Sequence, residues 1–86
     1  MVFEFDPTKS KTNKEKHGIY FIDAQAIWDG EIVEIRSSAS PEDRWVVIGL
    51  IHLKCWTAVI TYRNTNIRII SARRSRYDKE MLYKRL

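Results

Sequence analysis

The chain has 86 residues, of which 44% are hydrophobic and 12% aromatic, so it can form one small domain around a single core. This composition excludes an intrinsically disordered chain, and no apolar run approaches the length of a membrane span. The single cysteine, Cys55, cannot form an internal disulfide, and nothing in the first residues resembles a signal peptide. We therefore expect a cytoplasmic protein with Cys55 as a buried thiol.

The net charge of +4 is distributed unevenly along the chain. Residues 9–17 hold four lysines and one acid, and residues 68–86 hold seven basic and two acidic residues. Residues 18–44, in contrast, hold six acids and two arginines. Basic ends and an acidic middle predict a surface that is polarised for a phosphate-bearing ligand or an acidic partner.

The first elements are a short strand and an unusually polar helix. Residues 1–5 alternate between apolar and polar side chains, which predicts a strand. Asp6 suits the N-cap of a helix, Pro7 its first position and Gly18 the residue just after its end. No side chain between positions 8 and 17 is apolar, so this helix should not be held to a core by hydrophobic burial.

One face of this polar helix carries cationic and hydrogen-bonding groups. Helical spacing places four residues together there: Lys9, Asn13, Lys16 and His17. Two interpretations are open, namely a solvated surface helix and a face that binds a polyanion. For His17 alone, a structural place at the negative end of the helix dipole is a further alternative.

The rest of the chain predicts a second helix, four strands and a closing helix. Residues 22–28 carry an apolar stripe suited to packing on a sheet. Residues 37–41 form a loop, and residues 75–86 predict the last helix, with Ser75 and Asp78 resembling a capping box. Short links between the last three strands indicate an antiparallel meander, and hence one α+β domain spanning residues 1–86. The strands are predicted at residues 31–36, 44–51, 55–63 and 67–73.

The chemistry available to such a domain is limited. The chain has no glycine-rich phosphate loop, no metal-ligand spacing and no nucleophile elbow, so we predict neither a cofactor nor a metal. RNA, however, supplies its own nucleophile in the 2′-hydroxyl. Arginine and lysine can stabilise the phosphorane that this attack forms, while histidine, tyrosine, lysine or glutamate can move the protons.

Arginines cluster where the last predicted strand ends. Simple alternation places Arg68 on one face of the strand with Arg74, and Arg73 on the other face with Ser71. Either Arg73 or Arg74 can emerge at the rim of the sheet to meet a phosphate, and a solvated pair at a strand end is the alternative. Tyr83, in the closing helix, is either a proton donor or a packing residue.

Together, the polar helix and the arginine-rich strand resemble the BrnT family of bacterial toxins from type II toxin–antitoxin pairs. The N-terminal part of the resemblance comprises Phe3-Glu4-Phe5-Asp6-Pro7, Lys9, Asn13, Lys16-His17-Gly18, Phe21, Ala24 and Trp28. The C-terminal part comprises Glu42-Asp43-Arg44-Trp45, Ile48-Gly49, Val59, Tyr62-Arg63 and Arg68-Ile69-Ile70-Ser71-Ala72-Arg73-Arg74.

This resemblance implies a fold related to the RelE-type ribonuclease toxins and an RNA-cleaving activity that blocks translation. It also implies a cognate antitoxin that resembles BrnA and carries a DNA-binding ribbon-helix-helix part. Any contact with DNA would then be made through the antitoxin complex, and no membrane contact is expected.

Residue chemistry gives each candidate a role. We predict phosphate stabilisation by Arg73 or Arg74 and proton transfer by His17 or Tyr83. The alternative is a non-catalytic module that binds RNA or the antitoxin. RNA binding is predicted for Lys9, Asn13, Lys16, Arg63 and Arg68.

Overall fold

The computed structural model describes residues 1–37 and 43–86, so the loop predicted at residues 37–41 lies, apart from its first residue, outside the described residues. The α+β class is confirmed, because the predicted elements occur in the predicted order. The elements are β1 Phe3–Glu4, α1 Pro7–His17, α2 Phe21–Ala24, a 3₁₀ helix Gln25–Asp29, β2 Val33–Ser37, β3 Arg44–Ile51, β4 Lys54–Arg63, β5 Asn66–Arg74 and α3 Tyr77–Lys84.

Within the described residues, five strands form one mixed sheet in the order β1-β5-β4-β3-β2. Strands β2 to β5 pair antiparallel with their neighbours in sequence, which confirms the predicted meander. Strand β1 joins β5 in parallel, a pairing that the sequence did not predict. It places Glu4 beside Arg68, at the edge of the sheet.

The sheet has a covered face and an open face. On the covered face, α2 and the 3₁₀ helix pack against β5 and β3, whereas α1 lies along the edge of β5. The open face carries α3 over the end near the β3–β4 hairpin. The main core lies under the covered face and comprises Ile19, Phe21, Ala24, Ile27, Val47, Ala58, Ile60, Ile67, Ile69 and Ala72.

The predicted second helix is divided into two kinds of helix. The α-helical part is a single turn, α2, whose N-cap Tyr20 makes no side-chain capping bond. The tighter 3₁₀ helix then brings Ile27 onto β3 at Gly49, where only a residue without Cβ fits. The apolar stripe predicted from Phe21, Ala24 and Trp28, with Ile27 beside them, is confirmed: Phe21, Ala24 and Ile27 are buried, and the partly buried Trp28 packs against the core.

Gly49 is required by this close approach. A Cβ at this position would lie 2.7 Å from the Ile27 carbonyl oxygen and 3.0 Å from Ile27 Cγ2. Gly49→Ala should therefore lower the free energy of unfolding by about 2 kcal/mol, because backbone rather than a flexible side chain must move. Urea unfolding measures this loss. Gly30→Ala is the matched control, since a Cβ there meets nothing within 4 Å, and equal losses in both variants would contradict the expectation.

The β3–β4 hairpin turns through two residues with left-handed backbone. His52 has φ 49° and Leu53 has φ 65°, and positive φ at both positions is the pattern of a type I′ turn. Glycine and asparagine adopt this conformation at low cost, whereas leucine is strained in it. The Leu53 side chain is also 91% exposed. The tip of the hairpin therefore holds a solvent-exposed leucine in a backbone conformation that is unfavourable for leucine.

The closing helix α3 starts later than predicted and lacks the predicted capping box. Ser75 Oγ pairs instead with Thr57 Oγ1 at 2.8 Å, and the Ser75 amide donates to the Cys55 carbonyl oxygen. Strand-like pairing therefore continues through Ser75, and the N-cap becomes Arg76, which makes no side-chain capping bond. The Tyr83 hydroxyl donates to the Glu31 carbonyl oxygen at 3.0 Å and ties the helix to the start of β2.

Two expectations about the environment of the chain can be compared with the structure. Cys55 is buried and makes no disulfide, as predicted. Within the described residues, no helix has the length and apolar composition that a membrane crossing needs.

Candidate nucleic-acid interface

The polar helix α1 is held to the sheet by hydrogen bonds. Asn13 is only 5% exposed. Its Oδ1 accepts from the Ala72 amide at 3.1 Å, and its Nδ2 donates to the carbonyl oxygens of Ala72 at 2.9 Å and Ile19 at 3.0 Å. The buried Ser10 hydroxyl accepts from the Phe21 amide at 2.8 Å. Helix α1 therefore has a buried side, although no apolar side chain contributes to it.

The Asn13 side chain acts as a substitute for a strand. Strand β1 ends at Glu4, so it covers the edge of β5 only as far as Arg68. Beyond that point, the Asn13 amide pairs with both backbone groups of Ala72, as a neighbouring peptide would. Of the two amide hydrogens of Asn13, one is donated to the Ala72 carbonyl oxygen and the other to the Ile19 carbonyl oxygen. The sequence pattern predicts Asn13 as an RNA-binding residue. From its hydrogen bonds we infer instead that Asn13 positions α1. We expect the exposed residues around it to contact the ligand.

A β-bulge in β5 decides which arginines share a face. The pairs between β4 and β5 are Thr61–Arg68, Ile60–Ile69, Val59–Ser71, Ala58–Ala72, Thr57–Arg73 and Trp56–Arg74. Ile70 is thus an extra residue, and the alternation of faces is reset after it. The prediction that Arg68 projects with Arg74 is wrong for this reason. Arg68 lies on the open face with Ser71 and Arg73, and Arg74 lies on the other face.

Helix α1 places its cations beside the open face of β5. Lys9, Thr12, Lys16 and His17 line a cavity of about 230 Å³. Asn13, Ile70 and Ser71 complete its lining, and no acidic residue of the described chain contributes to it. Because Ser71 lies between Arg68 and Arg73 on the open face of β5, this cavity borders on that face. We call this surface the basic face and define it by Lys9, Lys16, His17, Arg68, Ser71 and Arg73.

The two arginines of the basic face differ in their partners. Arg68 Nη1 lies 3.3 Å from a Glu4 carboxylate oxygen, and Arg63 Nε lies 3.8 Å from the same oxygen. For Arg73, the described residues place no carboxylate within ion-pair distance, and its Nε contacts the Arg74 carbonyl oxygen at 3.4 Å. Arg73 is therefore the arginine of this face whose charge is not already balanced by an acid.

Glu4 is held in its charged form by the groups around it. The pKa of Glu4 is lowered mainly by the hydrogen bond from Asn66 Nδ2, at 3.2 Å. The hydrogen bond from Arg68 and the positive charges of Arg63 and Arg68 lower it further, whereas desolvation of the carboxylate raises it. The sequence pattern predicts no role for Glu4, because its position opposite Arg68 depends on the parallel pairing of β1. Arg44 was also not singled out, and it faces the same side, since it pairs with Thr61, the partner of Arg68.

The lowered pKa of Glu4 predicts a pH dependence of stability. The carboxylate stabilises the fold fully above its ordinary pKa of 4.5, and this contribution is lost as pH falls through the lower folded pKa. Wild type should therefore melt above Glu4→Gln at pH 7, and the difference should shrink at pH values below about 4.5. Thermal melts over a pH series test this. Asn66→Ala should reduce the same difference, and a difference that does not change with pH would contradict the assignment.

Arg74 and Tyr83 line a second cavity, which we call the hairpin cavity. It has a volume of about 600 Å³ and lies between α3 and the tip of the β3–β4 hairpin. The Arg74 guanidinium stacks over Trp56 at 5.7 Å, and its Nε donates to the Cys55 carbonyl oxygen at 3.3 Å. The predicted catalytic residues are thus divided between two surfaces, with His17 and Arg73 at the basic face. The lining of the hairpin cavity is Glu31, Leu50, Leu53, Lys54, Cys55, Arg74, Glu80, Tyr83, Lys84 and Leu86.

Tyr62 belongs to the lining of neither cavity. The Tyr62 hydroxyl donates to the Glu34 carboxylate. Burial and this bond raise the pKa of Tyr62 to about 12, so the phenol keeps its proton at neutral pH. Among the described residues, no three His, Cys, Asp or Glu side chains are grouped so as to hold a metal ion.

Comparison with known families identifies the chain. A family model described as "Ribonuclease toxin, BrnT, of type II toxin-antitoxin system" matches residues 5–79. The chain belongs to the BrnT family. No curated protein matched the chain. The BrnT match includes every predicted site residue except Tyr83, and it confirms the resemblance seen in the sequence. As a BrnT member, the chain is a ribonuclease toxin of a type II system, with RNA as its target and an antitoxin as its partner.

Proposed function

We propose that the basic face cleaves mRNA without a metal ion, by attack of the RNA's own 2′-hydroxyl, and that this cleavage stops translation. The observation that carries the proposal is the bulge at Ile70. It turns Arg68 onto the face of Arg73 and beside the α1 cavity that His17 and Ser71 share. Cations, an imidazole and a cavity whose lining includes no acid of the described residues then meet at one place.

Arg73 is proposed to stabilise the phosphorane. A guanidinium offers several donors in a fixed plane, which suits the non-bridging oxygens of a phosphate under attack. With no carboxylate of the described chain at ion-pair distance, its charge is free to act on RNA. The 2′ oxygen bonds to phosphorus while the bond from phosphorus to the 5′ oxygen breaks, which leaves a 2′,3′-cyclic phosphate and a 5′-hydroxyl.

His17 is proposed to move the protons of this reaction. An imidazole can accept a proton from the 2′-hydroxyl or donate one to the leaving 5′ oxygen near neutral pH. His17 lies at the end of α1, where Gly18 terminates the helix with φ 80°, and it lines the cavity next to Ser71. Tyr83 is not needed for this step, because its hydroxyl is bonded to Glu31 at the other surface.

The remaining cations are proposed to hold the RNA backbone. Lys9 and Lys16 are exposed on α1. Arg63 and Arg68 both form ion pairs with the Glu4 carboxylate, near the β1–β5 pairing. Contacts of this kind position a nucleic acid and make its binding depend on salt, without selecting a sequence. We further propose a BrnA-like antitoxin, DNA contact only through the complex with it, and action in the cytoplasm, where mRNA is translated.

The proposal is tested by incubating the purified chain with RNA in the presence of a chelator. We expect cleavage, with products that carry 2′,3′-cyclic phosphate and 5′-hydroxyl ends. RNA that is bound with a steep salt dependence but left intact would show a non-catalytic binding module instead. Cleavage that requires added Mg²⁺ would contradict metal-independent chemistry.

A further inference from the structure

The hairpin cavity differs from the basic face in that exposed leucine side chains form part of its lining. Leu50, Leu53 and Leu86 line it and are 40%, 91% and 64% exposed. Single exposed leucines are ordinary on protein surfaces, whereas several around one concave site mark a place where another molecule binds.

The backbone at the hairpin tip strengthens this interpretation. Leu53 has φ 65°, a conformation that glycine or asparagine would adopt without the strain that a leucine side chain adds. Either of these residues would also remove the exposed apolar side chain from the tip. Leucine at this position is therefore doubly unfavourable in the isolated chain, and a partner that covers the side chain would account for it.

The charges around the cavity indicate the chemistry of that partner. Lys84 is paired with Glu80 at 3.2 Å, whereas neither Lys54 nor Arg74 has a carboxylate partner among the described residues. Arg74 is held at the rim by Trp56 and by the Cys55 carbonyl oxygen. Two cations beside exposed leucines fit an amphipathic segment with acidic side chains next to its apolar ones.

RNA is a poorer match for the hairpin cavity than a protein segment is. Bases stack on exposed aromatic rings or arginine planes, but the plane of Arg74 is already stacked on Trp56. Two carboxylates, those of Glu31 and Glu80, also belong to the lining, so the hairpin cavity is less cationic than the α1 cavity. The α1 cavity, by comparison, has no acid in its lining among the described residues.

We infer that the hairpin cavity is the docking site of the antitoxin. An amphipathic segment of the antitoxin places its apolar side chains between the hairpin tip and α3, with its acidic side chains at Lys54 and Arg74. This inference rests on the toxin–antitoxin function proposed above and adds to it a binding surface that is separate from the basic face.

The test compares substitutions at Leu53 in the full chain. Leu53→Glu and Leu53→Gly should each bind the purified cognate antitoxin about tenfold or more weakly, because both remove an apolar anchor. RNA cleavage by both variants should equal that of wild type. Leu53→Gly should also melt no lower than wild type, since it relieves the left-handed strain, so that a weaker complex cannot be attributed to unfolding.

Two further variants complete the experiment. Ile22→Glu is the matched control, because Ile22 is 62% exposed on α2, outside the cavity lining, and its affinity for the antitoxin should be that of wild type. Lys54→Glu should weaken antitoxin binding at low salt, and the difference should shrink as salt is raised.

Three outcomes would overturn the inference. One is an affinity of Leu53→Glu for the antitoxin that equals that of wild type. A second is an equal loss of affinity in Ile22→Glu, and a third is a loss of RNA binding in Leu53→Glu while the antitoxin still binds normally. Wild type that fails to cleave RNA would refute the proposed chemistry instead, while the antitoxin affinities would still decide the docking site.

Discussion

Arg73→Ala should reduce kcat for RNA cleavage by about 10² to 10³-fold, the range expected when a group that stabilises transition-state charge is removed. Arg73 lies on the open face with Ser71 and lacks a carboxylate partner among the described residues, so its charge is directed at the ligand. Single-turnover cleavage of a labelled RNA measures the loss. Arg73→Lys should restore only part of the rate, because an ammonium lacks the planar set of donors.

The neighbouring arginine provides the matched control. Arg74 stacks on Trp56 and lines the hairpin cavity, so Arg74→Ala should change kcat by less than about threefold if the two arginines act at different surfaces. An equal loss of kcat in the two variants, or a larger loss in Arg74→Ala, would show that the catalytic surface is not the basic face.

Asn13→Ala should lower the free energy of unfolding by about 4 kcal/mol, because three hydrogen bonds are lost and buried backbone groups are left without partners. The affected groups are the amide and carbonyl of Ala72 and the carbonyl of Ile19. Small domains have only about 5 to 15 kcal/mol of stability in total, so a large unfolded fraction is expected under mild denaturing conditions. Urea unfolding, followed by circular dichroism, measures the change.

Thr12→Ala is the control for the Asn13 substitution. Thr12 is the preceding residue on α1, is exposed, and bonds only within the helix, to the Thr8 carbonyl oxygen at 3.1 Å. Its replacement should change the free energy of unfolding by about 0.5 kcal/mol or less. Similar losses at the two positions would mean that the Asn13 amide does not hold α1 to the sheet.

The limits of α1 could be predicted from the sequence because they depend on local interactions. Asp6 Oδ1 accepts from the Thr8 amide at 2.8 Å, as an N-cap does. Gly18 ends the helix with positive φ, and its amide bonds back to the Lys14 carbonyl oxygen. In each case the partners lie within four residues, so the sequence pattern contains the whole interaction.

The composition of the candidate site could not be predicted in the same way. Asn13 bonds to Ala72, 59 residues away, and nothing near Asn13 in the sequence separates an amide that binds a ligand from one that binds a strand edge. The faces of Arg68 and Arg73 follow from the bulge at Ile70, which alternation alone cannot reveal. Tertiary pairing therefore decided both which cations share a surface and which polar side chain binds to the edge of the sheet.

The bond between Asn13 and Ala72 also bears on how the basic face responds to RNA. Since the amide occupies both backbone groups of Ala72, α1 cannot shift along β5 without breaking these bonds. Ala72 directly precedes Arg73, and Asn13 lies one helical turn before His17. The bonds thus fix the backbone positions from which the His17 and Arg73 side chains extend. The proposed binding of RNA then requires no movement of α1 relative to β5, and such preorganisation of the backbone lowers the cost of binding.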